Sequence, residues 1–319
     1  MNDDAAAQGA HPYVDPARLE VEQTRVFDQA WLLVGNADDL TEPGATASVS
    51  WRQGERLLVE RQNARLVARA NRPVSLVQWR GLVWASVHPE PPPLETFLGQ
   101  IATDTAAYNL SDFVPIRERS MVLECNWKAP LEISMETYHL NTVHARSIGR
   151  LMAGAEPECE PLGDHQRMVA EVADYQWRRW LDARTSRGGP YSVRQQGALY
   201  RYLVFPNTVL NVLPSQLSIY TTWPLGPNRC RLEYRFCAKP KAGVLEWART
   251  RLTAALSAHI LREDLAVLSR FQRGVHALEA GARPLHEREQ AIAWFHEALD
   301  RWCASESNPT ARNRVRGAG

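Results

Sequence analysis

Short runs of alternating apolar and polar residues fall into two blocks, and the stretch between them has a different texture. The first block, between residues 46 and 87, holds TASVSW, RLLVER, ARLVARA, SLVQW and GLVWASV. The second, between 167 and 238, holds RMVAEVADYQW, ALYRYLVF, NTVLNVL, QLSIYTTWPL and RCRLEYRFCA. A period of two sends successive side chains to opposite faces, so each block predicts an antiparallel sheet with one face buried. Helical periodicity frames the blocks. Residues 15–31 predict an entry helix, with Asp15 as N-cap and Pro16 in the first turn. Residues 242–256, 258–273 and 286–303 predict helices at the other end, carried by residues such as Leu252, Leu268, Phe295 and Leu299. Strands followed by long helices make an α+β protein.

Composition removes several classes of function. A length of 319 residues is enough for roughly two domains of about 150 residues. The 37 basic and 36 acidic side chains leave a net charge of +1, so nothing marks a nucleic-acid partner or an anionic membrane surface. No uncharged apolar run reaches the length of a transmembrane helix. The start, MNDDAAAQGAHPYVDP, is acidic and lacks the apolar core of a secretory signal. The five cysteines are odd in number and scattered, with no CxxC, which speaks against a disulfide framework or structural zinc and for a reducing cytoplasm.

The stretch between the blocks carries the chemistry. Asn126-Trp127-Lys128 is followed by Glu132, Glu136, Tyr138, His139 and His144. On a helix spanning 128–140, Glu132, Glu136 and His139 share a face. A carboxylate three residues before a histidine is placed to accept the hydrogen bond of one ring nitrogen, which fixes the tautomer of a metal-binding imidazole. His139 and His144 stand about 140° apart on an ideal helix, so they converge only if the helix ends between them. Taken alone, each histidine is as well explained by packing or solvent exposure.

The string NWKAPLEISMETYHLNTVH resembles the iron-site signature of the catalytic (alpha) subunits of Rieske non-haem iron oxygenases. The resemblance extends to RVFDQAWLLVGNADDLTEPGA, WRGLVWASVHPEPPPLETFLG, VFPNTVLNVLPSQLSIYTTWPLGP and ILREDLAVLSRFQRG, in that order. It implies a Rieske-like antiparallel β-domain, reduced here, beside a helix-grip (START/Bet v 1-like) catalytic domain with long C-terminal helices. The implied boundaries are an N-terminal segment and entry helix at 1–43, the reduced β-domain at 44–105 and the catalytic domain at 106–319. It also implies one Fe(II) per chain held by His139, His144 and Asp264, since two histidines and one carboxylate leave open positions for O₂ and substrate. Glu136 matches the carboxylate that links the iron site to the Rieske cluster of a neighbouring subunit. Tyr200, Tyr202, Phe205, Leu210 and Trp223 fall on strands that line the substrate cavity of the family, and each is equally explained as plain core.

The departure from the family is equally informative. Its [2Fe–2S] cluster is held by two cysteines and two histidines, yet the first cysteine here is Cys125 and no Cys-x-His precedes it. ARLVARANR resembles the strand before the cluster loops and PVSLVQWRG the strand after them, as if the loops were excised near Arg72-Pro73. Three readings follow. The chain is an oxygenase subunit, hydroxylating or oxidatively demethylating a small organic substrate, reduced by a Rieske-bearing paralogue, ferredoxin or reductase. Or it is a silent partner subunit. Or it is a non-redox binding protein or metal hydrolase on the same scaffold. The retained ligand set favours the first, in a trimer or mixed oligomer.

Overall fold

The computed structural model describes residues 12–52, 55–136, 139, 142–144, 147, 157–171, 190–240, 244–276 and 285–304. The entry helix begins as the sequence suggests. The Asp15 side chain accepts a hydrogen bond from the Ala17 N–H at 2.9 Å, and α1 runs over Pro16–Glu22. It then widens into a π-helical turn, Gln23–Phe27, and stops short of the expected 31.

Strand β1 (Leu32–Asn36) follows at once, inside the segment expected to be only helix and loop. It pairs antiparallel with β6 (Leu82–Ser86), which also pairs with β5 (Ser75–Trp79), giving a three-stranded sheet β1-β6-β5. A second three-stranded sheet joins β2 (Thr46–Arg52), β3 (Glu55–Gln62) and β4 (Arg65–Arg69). The first block of alternation thus forms two small sheets, because the short connection 70–74 sends the chain from β4 to β5 without pairing them. Helices α2 (Leu94–Leu98) and α3 (Gln100–Asp104) lead away from this region.

The five strands of the second block join two earlier ones in one seven-stranded antiparallel sheet. Its strands are β7 (Val114–Leu123), β8 (Glu158–Leu162), β9 (His165–Glu171), β10 (Ala198–Val204), β11 (Thr208–Leu213), β12 (Gln216–Gly226) and β13 (Arg229–Ala238), in the order β7-β13-β12-β11-β10-β9-β8. Between β7 and β8 lies α4 (Ala129–Met135), and before β10 lies the short α5 (Val193–Gly197). At the other end α6 is one unbroken 33-residue helix, Val244–His276, where the leucine pattern suggested two. Ser257-Ala258 interrupts the apolar pattern but contains neither proline nor glycine, so nothing stops the backbone ladder. The last helix, α7 (Gln290–Ala304), buries Ala291, Phe295, Ala298 and Leu299, four positions on one helical face. No helix among the described residues is long and apolar enough to cross a membrane.

One cluster of buried side chains runs from Phe27 and Trp51 through Trp127 to Phe205, Trp223 and Phe295, so the small sheets and the large one share a core. At its centre is an ion pair with both side chains fully buried. Lys128 Nζ lies 2.9 and 3.0 Å from the two Glu22 carboxylate oxygens, and the Trp127 indole N–H donates to Glu22 Oε2 at 2.8 Å. A second buried polar clamp is His165, which opens strand β9 rather than lying in the polar loop its flanks suggest. Its Nε2–H donates to the Phe97 carbonyl at 2.6 Å, and its Nδ1 accepts from the Phe205 N–H at 3.0 Å. The carbonyl only accepts and the amide only donates, so the ring is the neutral Nε2–H tautomer.

Two outcomes test these clamps. Glu22→Ala leaves a buried ammonium unpaired and is expected to cost about 3–5 kcal/mol in urea unfolding, with Glu22→Leu combined with Lys128→Met costing much less. Equal losses for the single and double variants would show that packing, not charge pairing, dominates. For His165, burial pushes the imidazole pKa down. The unfolded chain takes up this proton more readily, so the contribution of His165 is full above the unfolded value of about 6.5 and is lost as pH falls below it. His165→Gln should flatten the fall in Tm between pH 6.5 and the acid limb, and an unchanged profile would assign that fall to other groups.

Candidate metal centre

The helix bearing the Asn126-Trp127-Lys128 motif is shorter than the expected 128–140. It ends at Met135, and Glu136 is extended, with φ −116° and ψ 164°. The break places the ligands. The extended Glu136 turns its carboxylate back on His139, accepting from the His139 backbone N–H at 3.1 Å through Oε2 and contacting ring Nδ1 at 2.5 Å through Oε1. The chain then turns on itself, with the Thr142 and Val143 N–H groups donating to the His139 carbonyl at 2.9 and 2.7 Å. This turn replaces the 140° helical separation and brings the rings of His139 and His144 to a centroid distance of 5.1 Å. Glu132 does not share their face. It accepts from the Tyr13 hydroxyl at 2.6 Å and contacts His296 Nε2 at 2.9 Å, away from the histidine pair. Tyr138 lies outside the described residues.

Helix α6 supplies the third group. Asp264 Oδ1 stands 2.7 Å from His144 Nε2 and 3.5 Å from His139 Nε2. One ligand atom from each of His139, His144 and Asp264 lies within 4.8 Å of the others. The preceding residue, Glu263, was not singled out from the sequence. Its Oε2 contacts His144 Nδ1 at 2.9 Å and accepts from the Ser147 hydroxyl at 2.5 Å. The adjacent acids in Arg262-Glu263-Asp264 were the available signal, but on a helix they point some 100° apart, and only the position of His144 decides which does what.

Each histidine therefore has its Nδ1 held by a carboxylate, Glu136 for one and Glu263 for the other, and turns its Nε2 toward Asp264. That is how ligand imidazoles are oriented around a metal ion. Asp264 Oδ1 is buried and makes no well-aligned hydrogen bond. A buried carboxylate oxygen left in this state is costly unless a cation meets it. The three residues therefore fit a divalent ion, and two histidines with one carboxylate suit Fe(II). Burial opposes protonation of His144, but the hydrogen bonds and charges of Asp264 and Glu263 outweigh it and raise its pKa.

The triad opens on a cavity of about 220 Å³ between α4, α6 and the large sheet. Its sheet wall is formed by Met168, Leu199, Arg201, Asn211, Leu213 and Tyr220, among others. None of the five sequence candidates for this wall lies on it. Tyr200, Tyr202 and Leu210 are buried on the opposite face of the sheet, in a core with Tyr108 and Trp84, while Phe205 and Trp223 belong to the central core. For Tyr200, Tyr202 and Leu210 the strands were right and the face was wrong, whereas Phe205 lies just past the end of β10. Alternation has a period of two, so reading β10 and β11 with the large aromatics inward exchanges the cavity set for its neighbours.

The family model for the ring-hydroxylating alpha subunit (catalytic domain) matches residues 110–305. The oxygenase subunit of glycine betaine monooxygenase from Chromohalobacter salexigens is 23% identical over 248 residues, covering 67% of this chain and 55% of that protein. The chain thus spans about half the length of this curated relative. Among solved structures, the quaternary ammonium Rieske monooxygenase CntA superposes with a TM-score of 0.74 at 14% identity, covering 91% of this chain and 93% of that one. Naphthalene 1,2-dioxygenase gives 0.72 at 14% identity, with 92% and 91% covered. At these identities the structural matches speak for the fold.

Asp264→Asn tests the third ligand. Iron bound per chain, measured by metal analysis, should fall sharply, while the apo-protein keeps or gains stability because a buried charge has been removed. Unchanged iron content together with an apo-stability change within about 0.5 kcal/mol would reduce Asp264 to an ordinary helix-surface group.

Proposed function

Because the chain belongs to the ring-hydroxylating alpha subunits through their catalytic domain, we propose that it is a mononuclear non-haem iron oxygenase subunit that takes its electrons from a separate Rieske-bearing protein. The observation that carries this reading is the convergence of two carboxylate-oriented histidines on the buried Asp264 Oδ1, beside a cavity. Fe(II) held by His139, His144 and Asp264 supplies the centre at which O₂ is activated. The protein does the rest. Glu136 and Glu263 fix the tautomers and ring orientations, α6 and α4 wall the site, and the apolar cavity side chains exclude water around a small substrate.

The reaction class is hydroxylation of a C–H bond, either as the final product or as the step that releases an N- or O-methyl group. One atom of O₂ enters the C–H bond and the other leaves as water, which consumes two electrons and two protons. The relatives named for glycine betaine and for quaternary ammonium compounds suggest a small organic substrate. This sequence has no Cys-x-His and Cys-x-x-His pairs to hold a [2Fe–2S] cluster, so the electrons must come from a ferredoxin, a reductase or a cluster-bearing paralogue. Glu136, which holds His139 through both oxygens, is the carboxylate we assign to the path from the donor. A trimer or mixed oligomer is the assembly that brings a donor to it.

The purified chain is expected to bind about one iron and to lack the visible absorption of a [2Fe–2S] cluster. Alone with NAD(P)H and O₂ it should not turn over, and a Rieske-bearing partner should restore O₂ uptake and product. Glu136→Gln should keep iron and lose most of the partner-driven rate. Loss of iron and rate together would make Glu136 only an orienter of His139. If no Rieske protein reduces the iron-loaded chain, it is a silent partner subunit instead.

A further inference from the structure

The cavity contains a charge that the proposed iron chemistry does not use. Arg201 projects from β10, the strand between β9 and β11 in the large sheet, directly opposite Met168 on one side and Asn211 on the other. It lines the same cavity as His139, His144 and Asp264, among the apolar side chains of Leu199, Leu213 and Met168. Its Nε donates to Asn211 Oδ1 at 2.8 Å and its Nη1 donates to the carbonyl of Ser134, in the last turn of α4. Those bonds use two of its five N–H donors. The remaining donors, one on Nη1 and both on Nη2, have no partner among the described residues.

No carboxylate neutralises it either. Among the described residues no acid lies in ion-pair contact with Arg201. Of the two that share its cavity, Glu136 is engaged by His139 and Asp264 by the histidine pair. Burial accordingly lowers the pKa of the guanidinium, although arginine remains charged. Capping the end of α4 accounts for one hydrogen bond but not for a cation among apolar side chains, a place where burial without a counter-charge is unfavourable. The free edge of a planar guanidinium fits a carboxylate with two parallel hydrogen bonds.

We propose that Arg201 is the substrate anchor of this cavity and that the substrate is a small organic acid whose carboxylate pairs with it. Resting on the oxygenase reading, this assigns the ends of the molecule: the acid sits at Arg201 and the carbon to be oxidised is directed toward the histidine–aspartate end. Arg201 is a binding and specificity residue, since it touches the substrate away from the reacting atom.

The test compares acids with neutral partners of the same shape, titrated calorimetrically into the iron-loaded full chain without reductant. The probes are benzoate against benzamide and acetate against acetamide. At least one acid is expected to bind tenfold or more tightly than its neutral counterpart. Arg201→Met should abolish that preference at unchanged iron content, and Arg201→Lys should keep part of it. If Arg201→Met does not fold, Arg201→Lys and the wild-type comparison still decide. No acid preference on any scaffold, or a preference that survives Arg201→Met, overturns the assignment. A chain that takes up no iron yet prefers acids through Arg201 overturns the oxygenase reading and leaves this one standing, whereas bound iron without acid preference does the reverse.

Discussion

The buried pairing of Glu22 with Lys128 ties two distant parts of the chain at one point. Glu22 ends α1, Lys128 precedes α4, and Trp127 between them donates to the same carboxylate. The adjacent Asn126 extends the tie. Its backbone N–H donates to Gln272 on α6, and its side chain donates to the carbonyls of Tyr13 and Pro227. Gln272 stands eight residues beyond Asp264 on one helix, so the motif that starts α4 also helps set the position of Asp264. A buried ion pair is seldom kept for stability, because well-packed apolar residues serve as well. Here its directional hydrogen bonds fix where α4 begins and how α6 lies against it, and these two helices carry or lead into every residue of the triad.

Much of this was legible in the sequence, and the misreadings have physical causes. The Asp15-Pro16 start, the strands of the second block and the last helix follow from capping chemistry and periodicity, which are local. The end of α4 is not local. Nothing in PLEISMETYH forbids a helix through His139, and the break at Glu136 is favoured by a carboxylate that gains two contacts to His139 by turning back. The cavity wall failed differently. In ALYRYLVF the large aromatics alternate with Leu199 and Arg201, and hydrophobicity alone assigns the aromatics to the more important face. The structure gives that face to the core behind the sheet, because Tyr108 and Trp84 wait there. Arginine in mid-strand was the signal that pointed the other way.

The connection from β4 to β5 joins the two small sheets with few residues. Only residues 70–74 separate the two strands. Within them Arg72 pairs with Asp28 at 2.7 Å, at the end of the π-helical turn, and Asp28 also accepts from the Trp51 indole N–H at 2.7 Å and faces Arg52 at 3.4 Å. The junction is therefore tied to the entry helix and to β2 by a small charged network. A short loop closes at lower entropic cost than a long one, and this network fixes its direction. The scaffold thus keeps its packing against the large sheet through Val49, Trp51 and Leu57.

The charges around the triad bear on what its cavity can hold. Glu136, Glu263 and Asp264 surround two imidazoles, so without an ion the site is rich in negative charge. In that state the raised pKa of His144 lets a proton offset part of it. A divalent cation held by His139, His144 and Asp264 would displace that proton, since a ligand imidazole must be neutral. It would balance part of the charge of Asp264 and Glu136, while Glu263 lies toward the helix surface. What is left inside the cavity is the guanidinium of Arg201. Under the reading proposed above, a bound cation would strengthen the hold of Arg201 on an organic acid, and the two binding events would favour each other by linkage.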